Sequence, residues 1–283
     1  MSKTSFALPQ KIETAYQRAI SRTIESILTP HRSMNYEEWV EHLYSVSQSP
    51  EMVGQSEYLA RQMTQWVNAS NARSWRVAAS QSQRGATLYR LLQRELGGCV
   101  GSKLRDIVQS NARLISSIPS DVAGQLTGEI AKAQQAGARP ETIARIMRVR
   151  FPKLTRSRIQ LIARTETSKA SAALNEARCD ELNIPAYEWL TSEDQRVRPS
   201  HRNMDSVIVL WSDPPSPEAL VHERSTLGHY HCGNCPNCRC TSAPLLSLDD
   251  VKWPHRVYSS ERITRMTRKQ FAQLIGVREE IAA

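Results

Sequence analysis

No run of apolar residues in this 283-residue chain approaches the roughly 20 that a membrane-spanning helix needs. The longest candidate is the short stretch Val207-Ile208-Val209-Leu210-Trp211, so no membrane partner is expected. The opening Met1 to Pro9 carries a lysine but no long apolar core behind it, and it does not read as a secretory signal. The expectation is synthesis in a cytosol, where thiols stay reduced and metal binding is favoured over a disulfide framework. With Gly at 11 and Pro at 14, the chain is no low-complexity polymer. It has no glycine-rich phosphate loop and no His-Glu-x-x-His helix. A zinc deaminase pairs His-x-Glu with a later Pro-Cys-x-x-Cys, whereas here His222 and Glu223 are adjacent and Pro236 follows Cys235.

What is present is enough apolar residue for a core, 40% of the chain, and more length than one core usually organises. The formal charge of +9 is patterned. Between Arg61 and Ile118 there are nine basic residues against Glu95 and Asp106, and Arg139 to Arg178 carries ten against Glu141, Glu166 and Glu176. The rest of the chain is net negative. Cationic helices facing a polyphosphate gain from counterion release, which makes nucleic acid a natural partner. Arg73, Arg76, Arg84, Arg90 and Arg94 are the candidate contacts; the alternative is that helical surfaces are simply arginine-rich.

From Leu8 to about Leu182 apolar residues recur at three and four spacing, the mark of amphipathic helices. Ile12, Tyr16, Ala19, Ile20, Ile24, Ile27 and Leu28 form one face, which Pro30 ends. Asn35 or Ser33 is the expected cap of a second helix, and Gly97, Gly98, Gly101 and Pro119 read as joints. A helix is expected from about Thr155 to Leu182, stopped by Asn183-Ile184-Pro185. Beyond it the texture changes to short strand-like pieces, with Ser206 to Trp211 the clearest. Asp249-Asp250 and Trp253-Pro254 then precede a last basic amphipathic helix, expected from about Ser259 with Ser259 or Ser260 as its cap. The fold class is therefore α+β. A helical domain (1–136) precedes a small module (137–250, its α+β part 187–248) and a basic C-terminal helix (251–283).

Cys232, Cys235, Cys238 and Cys240 fall within nine residues, with His222, His229 and His231 just ahead. Thiolates at two-residue gaps can chelate one ion through a turn. Zinc held by some of them, completed by His201, is the expected arrangement, and it would brace a module whose own core is small. The alternatives are an iron-sulfur cluster, which needs a suitably placed fourth ligand, and reduced cysteines packed as small apolar groups. Cys99 and Cys179 stand alone on helical segments and are expected to be buried. Asp194, Arg196 and Arg198 alternate, so an extended segment would put all three on one side, where Asp194 and one arginine could brace the loop presenting His201. The rival reading is a metal-dependent nuclease-like or hydrolytic enzyme using Asp194 and His201, although no activated nucleophile is visible to complete it.

The order Trp189, then Asp194-Gln195-Arg196-Val197-Arg198, then His201, then Met204-Asp205-Ser206 and a closing Cys238-Arg239-Cys240 resembles the phage Mu F-like minor head family. The likeness extends back to Ala163-Arg164-Thr165-Glu166 and covers Gly137 to Leu248. Two departures are Ser206, where the family usually has glycine, and the extra Cys232 and Cys235. The resemblance implies a minor capsid protein of a tailed bacteriophage, not an enzyme. It would be made in the host cytoplasm and built into the virion, in the capsid interior or at the portal vertex. Its implied partners are the portal protein, other capsid proteins and packaged double-stranded DNA, and its implied role is head morphogenesis.

Overall fold

The structure, a computed structural model, describes residues 6–27, 35–81 and 98–276. It is α+β, as expected: long helices, a small mixed sheet, then a short helix. No helix among the described residues is long and apolar enough to cross a membrane. The chain divides into two units. One holds residues 10–66 and 105–167; the other holds 1–9, 67–104 and 168–283.

In the first unit, α1 (Gln10–Ile27) buries Ile12, Tyr16, Ile20 and Ile24, the stripe that its periodicity predicts. Pro30 and Ser33 lie outside the described residues. α2 (Tyr36–Ser47) starts at a complete capping box: Glu38 N–H donates to the Asn35 side chain at 2.9 Å, and Asn35 N–H donates to the Glu38 carboxylate at 3.0 Å. α3 (Pro50–Gln81) and α4 (Cys99–Ser116) each contribute to both units. Gly101 is therefore no joint but part of the first turn of α4, and Pro119 sits at the permissive start of α5 (Ile118–Gln135), which packs on α2.

The helix expected from Thr155 starts much earlier: α6 spans Pro140–Glu181 and carries Pro152 inside it. A proline costs an interior helix one backbone hydrogen bond. Contacts on both sides of it oppose that cost. Phe151 meets Trp39 edge-on at 4.5 Å, Arg150 pairs with Glu129, and Arg158 with Asp121 at 2.6 Å. α6 ends as the sequence indicates. Asn183 takes φ 52, its N–H donates to Asp180 O at 3.1 Å, and Ile184 N–H donates to Cys179 O at 2.8 Å. This closure needs the left-handed conformation, which asparagine and glycine tolerate and β-branched residues do not. Asn183→Val should thus cost about 1–2 kcal/mol in chemical denaturation while Asn183→Gly is neutral or better. Equal stability of the two variants would contradict this account of the helix end.

The second unit contains the sheet, whose strands β1 (Ala186–Leu190), β2 (Val207–Leu210), β3 (Thr241–Pro244), β4 (His255–Ser259) and β5 (Arg262–Met266) lie in the order β3-β1-β2-β4-β5. β1 pairs antiparallel with β2 and with β3; β2 and β4 are parallel. Strand alternation gives two cores. Tyr187, Trp189, Val207 and Val209 face the cysteine loop, whereas Ala186, Ile208 and Val257 face Phe271.

The C-terminal expectation needs correction. Residues 255–266 are not the start of a helix: β4 and β5 (Arg262–Met266) form a hairpin whose two central residues, Ser260 and Glu261, have φ 51 and 63. Two left-handed residues make the tight turn whose twist matches paired strands. The helix, α8 (Arg268–Leu274), begins only after a capping box of Thr267 and Gln270.

Candidate metal centre

The short helix α7 (Pro199–Met204) presents His201. The loop before it is closed by Asp205, whose Oδ1 accepts from Thr191 N–H and the Thr191 hydroxyl, both at 2.9 Å. Ser206 follows in the left-handed region at φ 56, a conformation that glycine adopts at least cost. Opposite α7, the cysteine loop runs into β3, so Cys240 sits one residue before a strand paired with β1. The loop lies hard against α6. A Cβ on Gly233, at φ 89, would come within 3.0 Å of Ala172 Cβ and 3.3 Å of Ser168 O.

His201 and the four cysteines are all buried. His201 Nδ1 lies 3.4 Å from Cys240 Sγ and 3.7 Å from Cys238 Sγ, and Nε2 lies 3.6 Å from Cys235 Sγ. The donor atoms of His201, Cys238 and Cys240 fall within 4.8 Å of one another, a group that could hold a metal ion. Cys232 is hydrogen-bonded to Cys240, and Cys235 to Cys238. Trp189 meets His201 edge-on at 5.3 Å. Its indole N–H is buried without a hydrogen-bond partner, and its nearness favours the thiolate of Cys240.

Crowding and burial raise the pKa of all four thiols, and so favour their protonated forms when no metal ion is bound. Burial pushes Cys232 up to about 11. Cys238 is pushed up to about 12, because the bond from Cys235, which lowers it, is outweighed by the bond to Cys240 and by burial. Cys235 is raised by its bond to Cys238 and then by burial, and Cys240 chiefly by its bond to Cys232. Buried thiols whose net shifts are all upward are poor nucleophiles and a good candidate ligand set, since a metal would supply the missing positive charge.

The arginines of the motif take different partners from those its alternation suggests. Residues 194–197 form a turn, with Val197 N–H donating to Asp194 O at 3.1 Å, so Asp194, Arg196 and Arg198 do not share one side of an extended strand. The Asp194 carboxylate pairs with Arg239 and accepts from Arg196 N–H at 2.9 Å. Burial opposes its ionisation, but these bonds and charges win and hold it below its usual value. Arg196 is exposed. Arg198 donates to Cys235 Sγ and to Pro236 O, both at 2.9 Å, setting a cation beside the thiol cluster. Of the nearby histidines, His222 and His229 are exposed and His231 is bonded to Tyr187 at 3.2 Å. Cys179 is buried as expected, but Cys99 is exposed at the head of α4, where its sulfur lies 4.0 Å from Asp180.

Sequence reading missed Glu218 and Tyr230. The Tyr230 hydroxyl is 2.9 Å from His201 Nε2 and donates to the buried Glu218 carboxylate at 2.8 and 2.9 Å. Nothing in the spacing marks Glu218, which lies in an irregular Ser-Pro-Glu stretch. Of the candidate nucleic-acid contacts, Arg73 and Arg76 are exposed on α3, while Arg84, Arg90 and Arg94 lie outside the described residues.

Residues 125–243 match the family described as Phage Mu protein F like protein. A Haemophilus influenzae protein named "Uncharacterized protein" is 31% identical over 151 residues, which is 53% of this chain and 31% of that protein. The chain thus spans about a third of that relative's length. No solved structure matches.

Proposed function

We propose, from the membership of residues 125–243 in the Phage Mu protein F like family, that the chain is a minor head protein of a tailed phage, placed near the portal vertex and acting in head morphogenesis. The observation that carries this reading is an overlap. The matched segment runs from within α5 to within β3 and takes in α6, β1, β2 and the whole thiol and imidazole cluster, so the candidate metal centre lies inside the matched part.

Zinc is the ion this donor set suits, because thiolate and imidazole ligands in a tetrahedral site are its preference. Its role is to brace. The donors are buried, and the sheet face they cover is otherwise packed by few aliphatic side chains. The portal protein and other capsid proteins are the expected partners, and the virion the expected location. The test is quantitative mass spectrometry of purified particles. The chain should appear at or below portal stoichiometry; absence from both proheads and mature particles would sink the reading.

Contact with packaged double-stranded DNA belongs to the same proposal. On α6, Arg145, Arg148, Lys153 and Arg156 are exposed, and Arg145, Arg148 and Arg156 recur at helical spacing along one side. Other cations of that helix are engaged within the protein: Arg150 by Glu129, Arg158 by Asp121 and Arg164 by Glu13. Replacing Arg145, Arg148 and Arg156 by alanine should weaken duplex binding equally for every sequence tested. It should also flatten the plot of log affinity against log salt by roughly 0.9 per lost phosphate contact. An unchanged slope would assign the duplex to another surface, with Arg73 and Arg76 the next pair to substitute.

A further inference from the structure

Each proton in the chain from Glu218 through Tyr230 to His201 can be placed. A carboxylate offers only acceptors and a phenol carries a single proton. Glu218 takes that proton through both of its oxygens, at 2.8 and 2.9 Å, and accepts from the Ser200 hydroxyl at 3.3 Å as well. The Tyr230 oxygen therefore faces His201 Nε2, 2.9 Å away, with only lone pairs, and Nε2 must be the nitrogen that bears hydrogen. A neutral imidazole has one N–H. Its lone pair is left on Nδ1, the nitrogen that looks toward Cys240 at 3.4 Å and Cys238 at 3.7 Å.

We propose that Glu218 and Tyr230 are positioning residues of a metal site whose ligands are His201 Nδ1, Cys238 and Cys240, completed by a flanking thiol of the same loop. The inference rests on the zinc reading above and adds to it which nitrogen binds and what holds it. Metal-bound histidines typically donate their other ring N–H to an acceptor that fixes tautomer and orientation. Here the acceptor is a phenol made more basic by its own bond to a buried carboxylate. The relay lies on two separate segments, with Glu218 ahead of a 3-10 turn (Ala219–Val221) and Tyr230 at the head of the cysteine loop, so the imidazole is held in this way only where the two segments meet.

The experiment uses the full chain, 15N-labelled at histidine, with zinc titrated into the metal-free protein and affinity read by chelator competition. In the wild type the His201 ring should show hydrogen on Nε2 before zinc is added. On addition, only the Nδ1 resonance should move to the metal-bound position. Tyr230→Phe keeps the ring and removes the acceptor; it should lose the single Nε2–H tautomer and bind zinc roughly 10- to 100-fold more weakly. Should zinc bind tightly while His201 keeps its free-imidazole resonances, or coordinate through Nε2, the relay is refuted and the zinc reading stands. If the wild type binds no zinc at all, the zinc reading itself is overturned and this inference with it.

Discussion

Replacing Asn175 with leucine should cost this protein roughly 3–5 kcal/mol, a larger loss than most single substitutions produce. Asn175 is a fully buried amide on α6 with all its main bonding directions used. Its Nδ2 donates to Ser242 O at 2.8 Å and lies 3.3 Å from Ser242 Oγ; its Oδ1 accepts from Asn71 Nδ2 at 2.8 Å and Trp75 Nε1 at 3.1 Å. One side chain thus joins α3, α6 and the edge strand β3. Leucine is close in volume, so little of the cost comes from a cavity. The cost comes from the partners left behind: the indole N–H, an amide N–H and a strand carbonyl, each buried and each worth about 1–3 kcal/mol when unsatisfied. Arg178, one turn further along, raises the stakes, because it too is buried and donates to Asn71 and Asn68. Thermal melting should drop by about 10 °C, taking 2–4 °C per kcal/mol for a protein this large. Asn175→Asp keeps the acceptor for Trp75 and Asn71 but sets a buried carboxylate oxygen against the Ser242 carbonyl, so it should be destabilised as well. A leucine variant as stable as wild type would show that the network is dispensable.

That network illustrates which parts of the molecule the sequence discloses. Helical periodicity reports a whole face at once, so the stripe of Ile12, Tyr16, Ile20 and Ile24 could be read from spacing and is the buried face of α1. Caps are equally local: Asn35 followed by Glu38, and Asn183 before Ile184-Pro185, mark helix ends by side-chain chemistry alone. The start expected at Thr155 fails because it takes a local cue for a helix end, while tertiary contacts of Phe151, Arg150 and Arg158 carry α6 through Pro152. At the C-terminus, Ile263, Met266 and Phe271 match a helical period by coincidence. The hairpin that forms there depends on a turn at Ser260 and Glu261 with no glycine or asparagine to announce it. The site divides likewise. The Trp, Asp-x-Arg-x-Arg, His and Cys-Arg-Cys order is visible in the sequence, but the pairing is not: Asp194 takes Arg239 and Arg198 takes Cys235. Glu218 and Asn175 were illegible because a single buried polar residue has no period, and its partners are far away in the chain.

Stripping metal from the protein should have the second large effect, and it separates two explanations of the same buried cysteines. Were the thiols merely small apolar groups in a tight core, a chelator would change nothing, because the packing of Trp189, Met204 and Val207 does not depend on an ion. With a zinc site, binding stabilises only the folded form. The gain is about 4 kcal/mol when free zinc exceeds the dissociation constant 1,000-fold, and a shift of roughly 10 °C in melting temperature follows. The loss should be confined to the sheet region. Trp189 touches His201 and favours the Cys240 thiolate, so the near-ultraviolet signal of that indole should fade with chelation, whereas the far-ultraviolet helical signal, dominated by α1 to α6, should persist. Cys238→Ser with Cys240→Ser, which conserves volume but removes two soft donors, should reproduce the chelated state and no longer respond to added zinc. Elemental analysis of the purified chain closes the argument. About one zinc per chain, lost in the double variant, is the expected result, and a metal-free wild type whose melting is indifferent to both chelator and zinc would return the cysteines to ordinary core packing.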